Sequence, residues 1–390
     1  MNWITSLDVT ADGLLASTLW LRVTNVLCLV GAGLAVLAGL RHLRQRKAVQ
    51  AGREAGRNLW SGSALLVLGL ALLVEFISIW NRAVEVNHFP SQTMSEVLVM
   101  FSFSLLVSML VLHFALKLER IGHGWAIVDD ALLAVVFLGV LATNHYTTTL
   151  STAQRDLPPA LQSYWFAPHL SALIFSYATL GIAGLVCIIY FAMRFWSGVF
   201  VGGKSVGSQL VVLAGLCLIP FAQIVTFPIL IAVGIVFLAL KLLDSLPAAK
   251  EMAATEKTMD QVSYRAFSVG IPFLTAGLFM GAFWAQEAWA NYWGWDSKEN
   301  SALITWLIYV IYVHLRMLGG YRGEKAMAVL GGGALSVFLT FQIFGYLPDS
   351  QKSLHRYTDD GVTPTEGMQG QRVSDESARR EPAVVGDERR

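Results

Sequence analysis

The sequence predicts an all-α, polytopic helical membrane protein. Of its 390 residues, 55% are apolar and only 14% are charged. Apolar runs of about 20 residues recur along the chain, enough for helices to cross roughly 30 Å of hydrocarbon. Lys and Arg gather on alternate loops, as the positive-inside bias requires. A membrane β-barrel would show short alternating segments instead.

Eight spans are expected, at about 19–40, 60–80, 95–117, 126–143, 168–195, 266–286, 300–317 and 326–346. The first 18 residues lack a basic stretch and carry Asp8 and Asp12, so no cleavable signal peptide is expected. Loop 41–57 holds Arg41, Arg44, Arg46, Lys47, Arg53 and Arg57 and is therefore assigned to the cytoplasm. That puts the N-terminus outside, and the basic loops after 117, 195 and 316 inside. The external loops hold only Arg82, Arg155 and Lys298.

Residues 208–243 are apolar, with Pro220 and Pro228 near the middle. A single crossing there would invert everything that follows. Proline breaks helices, so a proline-split helical hairpin is expected, which preserves parity. The count is eight spans, or ten if both arms cross. Four regions result: 1–245, N-terminal spans and hairpin; 246–265, a cytoplasmic linker; 266–348, a tryptophan-rich membrane region; and 349–390. The last is polar, rich in charge, Gly and Pro, and is expected to be mostly disordered, with the C-terminus outside. Cys28, Cys187 and Cys217 lie singly in apolar runs and form no CxxC.

The stretch Trp284–His314 reads WAQEAWANYWGWDSKENSALITWLIYVIYVH and holds five of the twelve tryptophans. An interfacial aromatic belt accounts for Trp60, Trp80, Trp125 and Trp165, but poorly for Trp289, Trp293 and Trp295. Trp289 and Trp293 would share a face if the segment between them is helical. Such a shelf suits a large planar ligand, with haem the leading candidate. Lys298 could handle its propionates. Asp296 and Glu299 could join it there or cap the helix that follows, and both roles can hold together.

Position sorts the eight histidines. His42 and His123 fall in cytoplasmic loops and are expected to be solvated. His113 reads as a satisfied interhelical residue. His88 and His145 lie in external loops, His88 in the tight NHFPSQTMSE segment. His169 opens the fifth span and His355 follows the eighth. Two external imidazoles can approach a haem iron from opposite faces. His314 lies deep in its span, where a polar group needs a partner or a function; a hydrogen bond to a neighbouring helix is the alternative.

Taken together, WANYWGWDSKENSALITWLIYVIYVHLR (289–316), YRAFSVGIPFLTAGLFMGAFWAQ (264–286), PHLSALIFSYA (168–178), NHFPSQTMSE and SLHRYT (353–358) resemble the cytochrome c assembly protein family in its CcsA/ResC form. The resemblance covers most of residues 15–358. It implies haem b as bound substrate at a "WWD" platform, with His169 and His355 as axial ligands and His314 as a ligand within the membrane. It implies a CcsB/ResB-type membrane partner supplying the histidine opposite His314. It also implies thioether attachment of haem to the CxxCH motif of apocytochrome c, thiol-reducing proteins as further partners, and a bacterial plasma or thylakoid-type membrane. The platform and tail would lie on the outer face. The chain departs from the family at Arg356, where Ser is usual, at Ser297, where Pro is frequent, and in the extra hairpin. No acid–base pair suggests a general base. A haem transporter without a part in ligation, a haem-delivery protein loading a separate chaperone, and a structural membrane subunit are the rival readings.

Overall fold

The structure is a computed structural model. It describes residues 9–10, 13–14, 16–50, 58–115, 123–150, 159–201, 207, 229–231, 233–238, 241–242 and 249–342. Among the described residues, eight long helices occupy the expected spans: α1 (Ala16–Gln50), α2 (Leu59–Val86), α3 (Met94–Ala115), α4 (His123–Thr147), α5 (Phe166–Val201), α6 (Ala249–Trp289), α7 (Ser297–Met317) and α8 (Glu324–Gln342). The first six are long and apolar enough to cross a membrane by length and composition. α7 and α8 have 21 and 19 residues, and 21 residues extend about 31 Å as a helix. Two residue pairs, Val9–Thr10 and Gly13–Leu14, form a minimal antiparallel pairing before α1.

Local chemistry fixes the helix ends. Asn58 accepts from the Trp60 amide to cap α2, and Asn87 ends it in the left-handed region at φ 57°. Thr93 and Glu96 begin α3 reciprocally: the Thr93 amide donates to Glu96 at 3.1 Å and the Glu96 amide to Thr93 Oγ1 at 3.4 Å.

Side-chain pairs give the packing. Ser17 of α1 donates to Glu85 of α2, and His42 of α1 meets Asp130 of α4. Ser108 of α3 bonds Thr179 of α5 at 2.7 Å, 14 and 13 residues from the starts of their helices, the matching depth that parallel helices would give. Arg194 of α5 pairs with Glu256 of α6 and Glu324 of α8. Thr305 of α7 bonds Ser336 and Thr340 of α8. Successive helices therefore alternate in direction. The bundle has an upper end, with the starts of α1, α3, α5 and α7, and a lower end. The lower end is bound by ion pairs: Arg316 of α7 grips Asp260 of α6 with both Nη atoms, at 2.8 and 3.0 Å.

α5 finishes and α6 starts at the lower end, so the segment between them leaves and returns on one side. Of the hairpin 208–243, only 229–231, 233–238 and 241–242 are described, all helical. Trp196 of α5 donates to the Leu230 carbonyl at 2.8 Å, and Phe200 stacks on Phe237.

Two expectations change. The 246–265 linker is helical from Ala249 onward and continuous with α6; its Glu256 and Asp260 are held by Arg194 and Arg316. His42 is not a solvated loop residue. It is buried inside α1, 2.7 Å from Asp130, because α1 runs past the expected span end. His113 is an interhelical residue as read, bonded to Asp129 of α4 at 2.9 Å.

A histidine and tryptophan site at the upper end

α5 and α6 approach closely. A Cβ added at Gly270 would meet Leu180 at 2.7 Å, one at Gly277 would meet Leu173 at 2.5 Å, and one at Gly281 would meet the His169 ring at 2.6 Å. This glycine face of α6 lets α5 lie against its backbone, as small-residue stripes do between membrane helices. His169, in the first turn of α5, rests in the gap above Gly281. Its Nδ1 lies 2.8 Å from the Gly277 carbonyl. A carbonyl only accepts, so Nδ1 carries the proton. In the neutral ring the lone pair is then on Nε2. A carbonyl that holds one ring nitrogen in this way fixes the tautomer and orientation of a metal-ligating imidazole.

Aromatic rings wall the site. Trp284 is 2% exposed and anchored by its indole N–H to the Ala160 carbonyl at 2.8 Å. Its ring lies 5.6 Å from His169 at 31°, 5.1 Å from Phe166 and 5.0 Å from Trp289. Trp165 packs on Phe283 at 5.0 Å.

The connection to α7 is short and conformationally demanding. Ala290 and Trp295 have φ of 55° and 56°, a region costly for residues with a Cβ. Glu299 holds the loop: one of its oxygens accepts from the amides of Gly294 at 2.8 Å and Asp296 at 3.1 Å. With Asp296 at the N-cap, this is a capping box. The capping role anticipated for the two acids is therefore present. Lys298 sits half-buried in the first turn of α7.

Trp289 and Trp293 do not share a helical face, because α6 ends at Trp289. The tryptophans sort into two groups instead. Trp289 joins Trp284, while Trp293 stands edge-on to Trp295 at 6.1 Å. Trp295 is 72% exposed. The Trp293 indole nitrogen is buried with no hydrogen-bond partner, which suits an acceptor brought by a ligand, such as a carboxylate. A planar, iron-centred dicarboxylate fits these residues: an oriented imidazole, aromatic walls and an unsatisfied donor.

His314 stands apart. It is exposed on α7, about 26 Å along the helix from Ser297 by rise alone. Its Nδ1 bonds the Val310 carbonyl of its own helix at 2.8 Å, not a neighbouring helix. His355 lies outside the described residues. Trp284, Gly277 and Gly281 were not assigned roles from sequence. The four-residue spacing of the two glycines in an apolar run was the available signal.

The family model described as cytochrome C assembly protein matches residues 58–348. Among curated relatives, the cytochrome c biogenesis protein CcsA of Synechocystis is 32% identical over 287 residues, covering 71% of this chain and 82% of that protein. CcsA of Synechococcus elongatus is 31% identical over 301 residues, covering 76% and 86%. CcsA of Trieres chinensis, at 28% over 292 residues, covers 74% and 84%.

Proposed function

The chain belongs to the cytochrome c assembly protein family and serves cytochrome c biogenesis; from that premise we propose that it carries haem through the membrane and presents it at the upper end for attachment to apocytochrome c. The observation that carries this is His169. Its ring is seated on Gly281, its Nδ1 is committed to Gly277, and Trp284 lies alongside. That is an imidazole held ready for a metal, beside aromatic surface broad enough for a macrocycle.

In this reading the upper end faces the outside of a bacterial plasma or thylakoid-type membrane. The support is charge: Arg41, Arg44 and Arg194 lie toward the lower end, as cytoplasmic ends do. His355, from the tail, takes the second axial position at the iron. His314 holds haem deeper in the bilayer, against a histidine of a CcsB/ResB-type partner. Its outward position on α7 supports this, since a polar ring facing hydrocarbon is costly unless something covers it. Trp293 and Lys298 receive the propionates.

The reaction served is addition of two CxxCH thiols across the haem vinyl groups. Each S–H adds across a C=C, the sulfur bonding one carbon and the hydrogen the other. The protein's contribution is positioning and keeping the iron ligated. A pure haem transporter, or a protein that loads a separate haem chaperone, shares the same site, and the attachment step separates them. The complex with its partner is purified, and haem spectra and attachment to an apocytochrome peptide are measured. The synthase reading expects His169→Gly to lose attachment and to shift bound haem toward the ferric form. Haem reaching the upper end with attachment intact would assign the chain to transport alone. A complex with no Soret band would overturn both.

A further inference from the structure

A second polar site lies in the N-terminal helices, away from the tryptophans. Glu75 of α2 is fully buried, as are Thr24 of α1 and Asn144 of α4. Asn144 Nδ2 donates to both Glu75 oxygens at 3.2 Å, and the Thr24 hydroxyl, which donates to the Trp20 carbonyl at 3.2 Å, lies beside the same carboxyl group. The basic residue above it on α2, Arg82, is two helical turns away and already engages Glu96 at 3.0 Å and Glu85 at 3.6 Å. A carboxylate in this setting is costly unless it is paired or takes up a proton.

Two features show how a proton could be exchanged. Directly above lies a cavity of about 50 Å³, lined at its rim by Arg82, Glu96 and Ser95. Ser78, Thr147 and Leu21 also line it, and each stands three residues, about one turn, from Glu75, Asn144 and Thr24 respectively. Three helices thus bring the same layer to the cavity floor. Most of its exposed wall is apolar, but Ser17, Thr18, Ser78, Arg82, Ser95, Glu96 and Thr147 line it and offer a water polar partners; it belongs to the upper end. Beneath Glu75 the next layer is Cys28, Ala71 and Val140, fully buried and without a polar side chain beyond the thiol. The path stops there.

The second feature is Asn144 itself. Its Oδ1 is buried with no partner while Nδ2 serves the carboxylate. Rotating the amide would exchange the two atoms. An ionised Glu75 accepts from Nδ2; a protonated Glu75 donates to Oδ1. One side chain thereby matches both states, and its unsatisfied oxygen marks the second.

We propose that Glu75, with Asn144 and Thr24, is a reversible proton-binding site that exchanges with the aqueous phase at the upper end only. Uptake takes one proton from water at the cavity floor and converts carboxylate to carboxylic acid; release returns it by the same path. Among the described residues, the titratable and charged groups near it are Cys28 and Arg22 from α1, Arg82 and Glu85 above it on α2, and Glu96 from α3. α4 contributes the neutral Asn144.

The test is infrared difference spectroscopy on the full chain in lipid nanodiscs, which needs no haem and so stands independent of the haem reading. A carboxylic-acid C=O band should appear reversibly on acidification and vanish in Glu75→Gln. In D2O the band should shift promptly. Filling the floor with Thr147→Leu, or separately Ser78→Val, should leave the band but slow that shift by an order of magnitude. As a check that does not depend on those variants, Thr147→Cys should react with a membrane-impermeant maleimide and Val140→Cys should not. Absence of any band attributable to Glu75, a band that never titrates, unchanged exchange in the filled variants, or equal labelling of both cysteines would each overturn the proposal.

Discussion

The imidazole of His169 lies so close over Gly281 that a Cβ on that glycine would sit 2.6 Å from the ring. The ring cannot keep its bond to the Gly277 carbonyl if that space is filled. Gly281→Val should therefore act as a histidine mutation without touching the histidine. Overpacking of this kind costs about 1–3 kcal/mol, and the flexible outcome is ejection of the ring. The expected result is a folded complex whose haem spectrum resembles that of His169→Gly. A normal spectrum in Gly281→Val would show that the ring position does not govern ligation.

Glu299 separates a cap from a charge. Its carboxylate accepts from the amides of Gly294 and Asp296 and holds a loop containing two strained residues. Glutamine keeps an acceptor oxygen and loses the charge; alanine loses both. Loss of the cap costs about 0.5–2 kcal/mol. Glu299→Gln should keep wild-type haem content, and Glu299→Ala should lower both haem content and melting temperature. Equal loss in the two variants would instead point to the charge acting on the ligand.

His314 makes its hydrogen bond within its own helix and presents the rest of the ring outward. If it ligates haem held against a partner helix, His314→Gly should deplete haem from the purified complex, and added imidazole should restore it. The helix should be undisturbed, because among the described residues this ring bonds only to its own helix. Unchanged haem content would remove His314 from the ligand set.

Much of this architecture was legible because hydrophobic periodicity and charge bias act over whole spans. All eight helices fall where the apolar runs place them, and α5 and α6 share their lower ends as an even number of intervening crossings requires. What sequence could not show were contacts that depend on neighbours. His42 looked like a loop residue because Arg41 and Arg44 surround it; its partner Asp130 lies 88 positions away. Trp289 and Trp293 have helical spacing, yet the αL residue Ala290 ends the helix between them. The site shows the same division. His169 stood out by residue type and place, whereas its contacts with Trp284 and Gly281 exist only because α6 lies against α5.

Arg316 and Asp260 offer a measure of what closes the lower end. The pair is bidentate and nearly buried, at 5% and 8% side-chain exposure, and the guanidinium also lies 4.3 Å over the Tyr264 ring. Removing one member strands the other charge, at a cost of about 3–5 kcal/mol, whereas replacing both by apolar groups is often tolerated. Arg316→Met should therefore lower the melting temperature sharply, and Arg316→Met with Asp260→Leu should recover most of it. α7 also carries His314, two residues from Arg316, so haem content should follow the same order if relieving the stranded charge is enough to seat α7 against α6. Recovery of stability without recovery of haem would show that the pair positions α7 by its geometry and not merely by neutralising charge.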